Sequence, residues 1–126
     1  MALKTADVQR IMAAAQAKAS EIGKPVAIIV LNGSGVALGL ERSGDPGTFT
    51  SIVADGKANA STTMGRNSSD LAGMAERSPA FLNALIARTG GRFVAVAGGV
   101  VLSQDGEVVG AVGVSGDGIE QDDFIA

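Results

Sequence analysis

Two pairs of short apolar segments, each joined by a tight turn, constrain the fold of this 126-residue chain more than any other feature. The pairs are 26–32 with 36–42, around the turn Asn32-Gly33-Ser34-Gly35, and 100–103 with 107–115, around a turn that contains Asp105-Gly106. Connections this short join antiparallel strands, and Asp-Gly between apolar runs is a strong hairpin signal. The sequence therefore predicts two β-hairpins.

The four segments differ in their apolar patterns. Residues 26–31 are apolar at every position, which is typical of a central strand that is buried on both faces. Residues 36–42 alternate instead, so that Val36, Leu38 and Leu40 share one face with Arg42 while Glu41 points to the other. A further apolar run at 93–97 predicts another strand, which brings the expected sheet to about five strands.

Helical periodicity occupies the sequence between these strands. Apolar residues recur every three or four positions over 5–22 and 48–65, a spacing that gives a helix one buried stripe. A short helix is predicted from Ser68 or Ser69 through Arg77. Another starts at Ser78-Pro79 and ends at Gly90-Gly91, with a buried face of Phe81, Leu82, Leu85 and Ile86. A last helix is predicted to begin after Ser115.

Helices grouped between hairpins indicate the α+β class, an antiparallel sheet with helices packed against it. The length fits one domain, residues 1–126, with one core. With 18 glycines and only four phenylalanines, that core must bring backbones close together.

Composition excludes several classes of function. A net charge of −3 without a cluster of Lys and Arg is unlike that of a nucleic-acid-binding protein. No apolar run approaches the roughly 20 residues of a membrane span, and the N-terminal segment lacks the apolar core of a secretory signal. We therefore expect no nucleic-acid partner, no membrane association and a cytoplasmic location.

The chain contains no histidine, cysteine, tyrosine or tryptophan. It therefore has no thiolate metal site, no cysteine nucleophile and no serine–histidine pair. General acid–base chemistry would have to use Asp, Glu or Lys. No metal site is predicted, and the acidic residues near the C-terminus are interpreted as a solvated helix start: Asp117, Glu120, Asp122 and Asp123.

The glycines at 110, 113 and 116 follow the spacing GxxGxxG within and after a hairpin strand. A dinucleotide-binding loop instead lies between a parallel strand and a helix. We interpret these glycines as places where a helix or a ligand approaches the sheet closely. The free N–H groups at Ser115-Gly116 could also hold an anion.

Arg42, Asp45 and Lys57 are the charged residues best placed to line a shared cleft. Lys57 falls at the edge of the apolar stripe of its helix, where its ammonium could lie at a pocket rim. The alternative is that Arg42 and Lys57 are ordinary surface residues whose stems cover apolar neighbours.

Three motifs carry a resemblance to a known family. They are D-x-K-A-x-x-S/T around Lys57, the turn Gly98-Gly99-Val100, and V-V-G-A-V-G-V-S-G over 108–116. In this order and over essentially the whole chain, the sequence resembles the GlcG/HbpS-like family. This family, also called the haem-degrading domain family, includes the C-terminal domain of PduO-type proteins.

The resemblance implies a profilin-like sheet flanked by helices, assembled as a dimer or larger homo-oligomer. It also implies a small-molecule ligand, with haem or a related tetrapyrrole as the default, because some members bind haem and some are linked to its degradation or to redox sensing. The expected pocket lies between the second helix and the sheet. Lys57 and Arg42 would meet ligand carboxylates there, and backbone N–H groups near Gly98-Gly99 and Gly116 would add donors.

The sequence departs from the family in the loop after the second strand, which reads Ser43-Gly44-Asp45-Pro46 where many members have M-D-G-A. Without His, Cys or Tyr, an iron ligand would have to be Met64, Met74, Lys57 or a threonine oxygen. Two alternatives stay open. One is an enzyme acting on a small hydroxy- or oxo-acid, in which Lys57 or a carboxylate moves a proton, and the other is a scaffold that only assembles.

Overall fold

The structure, a computed structural model, describes residues 2–116. The predicted last helix and the acidic residues from Asp117 to Asp123 lie outside the described residues. The elements are α1 (Thr5–Ile22), β1 (Val26–Asn32), β2 (Ala37–Ser43), α2 (Thr50–Met64), a 3₁₀ helix (Ser68–Leu71), α3 (Met74–Arg77), α4 (Pro79–Arg88), β3 (Gly99–Gln104) and β4 (Glu107–Ser115).

The two predicted hairpins are confirmed, and together they form the sheet. Its strand order is β2-β1-β4-β3, and every neighbouring pair is antiparallel. Because β1 pairs with β4, the two hairpins lie side by side, and the strands that are apolar on both faces occupy the centre. The fold class is therefore α+β, as predicted.

The sheet is a middle layer between α1 and α2. Alternate residues of β1 point to opposite faces: Val26, Ile28 and Val30 pack with α1, while Ala27 and Ile29 pack with α2. This alternation explains why β1 is apolar at every position, since each face of the strand is buried under a different helix.

The strand predicted at 93–97 is wrong, and the described part of the chain has four strands rather than about five. The N–H of Val94 donates to the carbonyl oxygen of Gly56 in α2 instead of to a neighbouring strand. Phe93 is buried with Ala60, Leu71 and Met74 beside the same helix. The segment therefore packs as an extended loop along α2.

Two smaller predictions are also corrected. The helix expected from Ser68 or Ser69 through Arg77 is divided into the 3₁₀ helix and α3. The buried face expected for α4 is only half present, since Phe81 and Ile86 are exposed. Leu82 and Leu85 pack against the cluster around Phe93.

The face predicted for β2 is interrupted. Pairing between β1 and β2 shifts register between Val30 and Leu31, which places an extra residue in β2. Leu40 and Arg42 follow one alternation, and both lie on the α2 side of the strand. Val36 precedes the extra residue and does not follow this alternation.

Candidate functional site

Cross-strand pairing brings Arg42 and Ser115 to the same end of the sheet. Arg42 is paired with Ala27 of β1, and Ala27 is paired with Ser115 of β4. Directly paired residues share a face, so the three form a row across three strands on the side that α2 covers. With strands about 4.8 Å apart, the Cα atoms of Arg42 and Ser115 are roughly 10 Å apart.

Arg42 connects β2 to the start of α2. Its Nη1 donates to the Thr50 hydroxyl at 3.2 Å and to the Ser51 hydroxyl at 2.8 Å, and its Nη2 donates to the Gly47 carbonyl oxygen at 3.0 Å. The side chain is exposed. A guanidinium placed beside the positive end of α2, whose first turn holds no acidic residue, makes this surface electropositive.

The loop that carries Asp45 lies beside this row. A Cβ atom at Gly44 would meet the Pro25 side chain at 3.0 Å, and one at Gly116 would meet the Pro25 carbonyl oxygen at 2.7 Å. Pro25 therefore packs between the loop after β2 and the end of β4. Asp45 is exposed in that loop.

Lys57 is buried, with 2% of its surface exposed, instead of lying at a pocket rim. It follows Thr50 by two helical turns on the sheet-facing side of α2. Its Nζ donates to the carbonyl oxygen of Val114 at 3.0 Å, so the ammonium lies next to Ser115.

Gly98 and Gly99 enclose Lys57 from the β3 side. Gly98 has a φ of +129°, and a Cβ there would lie 2.7 Å from Lys57 Nζ and 2.6 Å from the Val114 carbonyl oxygen. A Cβ at Gly99 would collide with the Lys57 carbonyl oxygen. The interface between α2 and the sheet is therefore closely packed at these glycines.

Two serines complete this buried polar region. Ser68 Oγ accepts a hydrogen bond from the Gly99 N–H at 2.7 Å, which ties the 3₁₀ helix to β3. Ser61 lies one turn after Lys57 in α2 and is fully buried. Among residues 2–116, its hydroxyl has no hydrogen-bond partner. The family motif around Lys57 includes position 61, but nothing in the motif predicts a buried, unsatisfied hydroxyl there.

An ion pair lies in the first half of α2, at Asp55. Arg92 donates from Nε and Nη2 to the two Asp55 oxygens at 2.8 and 2.9 Å, and Nη2 also donates to the Gly35 carbonyl oxygen at 2.7 Å. The hydrogen bond to Asp55 raises the pKa of Arg92 above its usual value. This network joins α2 to the β1–β2 turn and is structural.

The structure thus brings most of the predicted site residues to one end of the sheet. Arg42 and Asp45 are exposed there, Gly116 is partly buried and Ser115 is buried. Lys57 lies behind Ser115 with Gly98 and Gly99. Arg42 can pair with an anionic group of a ligand. Behind it, the ammonium of Lys57 is buried next to Ser115.

An apolar groove on the opposite face was not predicted. It lies between α1 and β2, has a volume of about 330 Å³, and includes Leu3, Val8, Met12 and Leu38 in its lining. Sequence periodicity assigned Met12 and Val8 to the core stripe of α1. The groove forms because α1 lies across the centre of the sheet, so that its stripe extends beyond β1 toward the edge strand.

Residues 2–116 contain neither a cluster of metal ligands nor a membrane-spanning helix. No group of three or more Asp or Glu side chains lies close enough together to hold a metal ion. No described helix has the length and apolar character that crossing a membrane requires.

Comparison with known proteins places this fold among characterised structures. Residues 3–126 match the family model described as haem degrading protein HbpS-like. An uncharacterised 15.0 kDa protein from the dhaT–dhaS intergenic region of Citrobacter freundii is 31% identical over 121 residues, which cover 96% of this chain and 84% of that protein.

Two solved structures are similar over nearly the whole chain. The PduOC–haem complex is 28% identical, with a TM-score of 0.90 and coverage of 100% of this chain and 91% of that one. A doubly substituted HbpS from Streptomyces reticuli is 22% identical, with a TM-score of 0.86 and coverage of 99% and 82%. At that identity, the second similarity concerns the fold.

Proposed function

The chain belongs to the HbpS-like family of haem-degrading proteins, and on this premise we propose that it is a small-ligand-binding domain whose ligand is haem or a related tetrapyrrole. The observation that carries the proposal is the similarity to PduOC, which was crystallised as a haem complex and whose fold this chain shares. A tetrapyrrole combines an apolar macrocycle with carboxylates, so a site for it needs apolar surface and a cation.

The residues of this chain can bind both the carboxylates and the apolar macrocycle of such a ligand. Arg42 offers a guanidinium, which suits bidentate carboxylate binding. Phe49 lies two residues after the Gly47 carbonyl that Arg42 binds, and it is exposed (61%). For iron, the chain offers only weak ligands such as thioethers, since it has no His, Cys or Tyr. Met64 and Met74 pack around Phe93, and Met12 is buried beside the groove.

The proposed site is the end of the sheet at which α2 begins. Arg42 would pair with a ligand carboxylate, with Asp45 and the N–H groups near Gly116 at its border. Ser115 and Lys57 would add a hydroxyl and a positive charge from behind, enclosed by Gly98 and Gly99. Burial makes Lys57 a contributor of electrostatic potential more than a direct contact.

The alternative is an enzyme that acts on a small hydroxy- or oxo-acid. The position of Lys57 beside Ser115 favours it as a second candidate, because lysine is one of the few residue types in this chain that can transfer a proton. Turnover that is lost in Lys57→Met would support this candidate. Methionine preserves most of the side-chain volume, whereas Lys57→Ala would also leave a cavity.

A hemin titration followed in the Soret region tests the leading proposal. We expect saturable, stoichiometric binding to the unmodified protein and roughly 3- to 10-fold weaker binding to Arg42→Gln, because one charge-assisted contact is lost. The Lys57→Met variant should bind more weakly as well.

The matched control is Arg66→Gln, which removes the same charge beyond the far end of α2 and should leave affinity unchanged. Equal, non-saturating signals in all four proteins would mean adsorption to apolar surface and would contradict the proposal. Saturable binding that Arg42→Gln leaves intact would contradict the placement of the site.

A further inference from the structure

The bulge in β2 turns one apolar side chain toward α1. Val30 pairs with Gly39 and Leu31 pairs with Ala37, so Leu38 is the residue of β2 that has no partner in β1. An extra residue of this kind bends a strand and changes the direction of its side chain. Leu38 consequently lies beside Gly39 in the lining of the groove between α1 and β2.

Gly39 leaves this groove open on its strand side. A Cβ atom there would meet Val8 Cγ1 at 3.4 Å and Met12 Cε at 3.6 Å, so these two side chains of α1 face a strand position that has no side chain. Leu3 and Leu38 extend the apolar lining. The volume of about 330 Å³ falls within the range of pockets that hold small molecules.

The groove is about as long as an eight-carbon chain. Its lining runs from Thr5 to Met12 along α1 and from Leu38 to Glu41 along β2. At about 1.5 Å per helical residue and about 3.3 Å per strand residue, both walls are roughly 10 Å long. With C–C bonds of about 1.5 Å, an extended octyl chain and its terminal nitrogen also span roughly 10 Å.

Glu41 gives one end of the groove a negative charge. It is the charged residue of the lining, in which Thr5 and Gln9 are neutral. Its Oε1 accepts a hydrogen bond from Nε2 of Gln16, which lies one helical turn beyond Met12, at 3.1 Å. No Lys or Arg among residues 2–116 forms an ion pair with this carboxylate. An apolar lining therefore ends at an exposed carboxylate whose hydrogen-bond partner is neutral.

We propose that this groove binds a small amphiphilic cation, an alkyl- or arylalkyl-ammonium. Its apolar part would lie along Val8, Met12 and Leu38, and its ammonium would pair with Glu41. The net charge of −3 also attracts a cation and disfavours an anionic amphiphile such as a fatty acid. Glu41 lies on the α1 face of β2 and Arg42 on the α2 face, so this site is separate from the proposed tetrapyrrole site.

Octylammonium chloride, titrated into the intact protein with isotope-labelled methionine methyl groups, tests the site by NMR. The Met12 methyl group lies beside Gly39 in the groove, whereas Met64 and Met74 pack around Phe93. We expect the Met12 signal to shift saturably while the signals of Met64 and Met74 stay unmoved. From butyl- to octylammonium, affinity should rise about 3-fold for each added methylene, since each one buries apolar surface. Decylammonium should gain little more, because its chain exceeds the groove.

Glu41→Gln separates ion pairing from adsorption to an apolar surface. We expect this variant to bind octylammonium roughly 2- to 5-fold more weakly and octanol unchanged, because only the ammonium loses a charge partner. The unmodified protein should prefer octylammonium to octanol and to octanoate. The matched control is Glu107→Gln, which removes an exposed carboxylate at the start of β4 and should bind like the unmodified protein.

An unmoved Met12 signal, or equal shifts of all three methionine signals, would overturn the proposal. So would equal affinities for the ammonium, the alcohol and the carboxylate, or an equal loss of octylammonium binding in Glu41→Gln and Glu107→Gln. None of these results depends on hemin binding at the other face of β2.

Discussion

Asp7 fixes the beginning of α1 through contacts with its own turn. Its Oδ2 accepts the Lys4 N–H at 3.0 Å, and its Oδ1 accepts a hydrogen bond from Arg10 at 3.0 Å. These contacts, the backbone hydrogen bond first, lower the pKa of Asp7 below its ordinary value of 3.8. The carboxylate also lies at the positive end of the helix dipole, where a negative charge is favourable.

The lowered pKa gives Asp7 a defined pH dependence. Because the folded-state pKa lies below the unfolded value of 3.8, its stabilisation is present above that pH and is lost as pH falls through the folded pKa. We expect Asp7→Asn to unfold at a lower urea concentration than the unmodified protein at pH 7. The difference should shrink below about pH 4.

The control is Glu21→Gln, the same kind of change at the other end of α1. A carboxylate at a helix C-terminus opposes the dipole, so this variant should not lose stability at neutral pH. If the urea midpoints of Asp7→Asn and the unmodified protein differ by the same amount from pH 7 down to pH 2, the stabilisation does not come from the Asp7 carboxylate.

Lys57 shows what sequence reasoning can and cannot give for a single residue. Helical periodicity placed it at the edge of the apolar stripe of α2, but the structure buries Lys57 itself and leaves the apolar residues Phe49 and Ile52 at the start of that helix exposed. The ammonium of Lys57 was predicted to lie at a pocket rim. Its actual surroundings are set by Val114, 57 residues away, and by the close approach of Gly98. A pattern of local spacing carries no information about such partners.

At the scale of elements, α2 is held unusually close to the sheet by small residues. A Cβ at Gly113 of β4 would collide with the carbonyl oxygen of Ala54 and crowd the Ala58 methyl group. The glycines of β4 were interpreted from the sequence as places of close approach, and the structure confirms this at Gly113. The spacing alone left open whether a helix or a ligand makes the approach.

We expect Gly113→Ala to destabilise the protein by about 1–3 kcal/mol or more, because a methyl group there has to push α2 away from β4. Gly33→Ala is the matched control, since its added Cβ would meet its nearest atom at an ordinary 3.5 Å. Urea unfolding of both variants gives the comparison. Equal losses in the two variants would mean that the helix–sheet distance is not limited at Gly113.

At the scale of the whole molecule, the hairpins were predictable and their arrangement was not. Turn residues determine local pairing within each hairpin, and they correctly gave β1 with β2 and β3 with β4. The pairing of β1 with β4 joins residues far apart in sequence, and it is this pairing that aligns Arg42 with Ser115. The loop at 93–97 was predicted as a strand because it is apolar. Its apolar residues pack against α2, and composition alone cannot show whether such residues are buried by a helix or by a sheet.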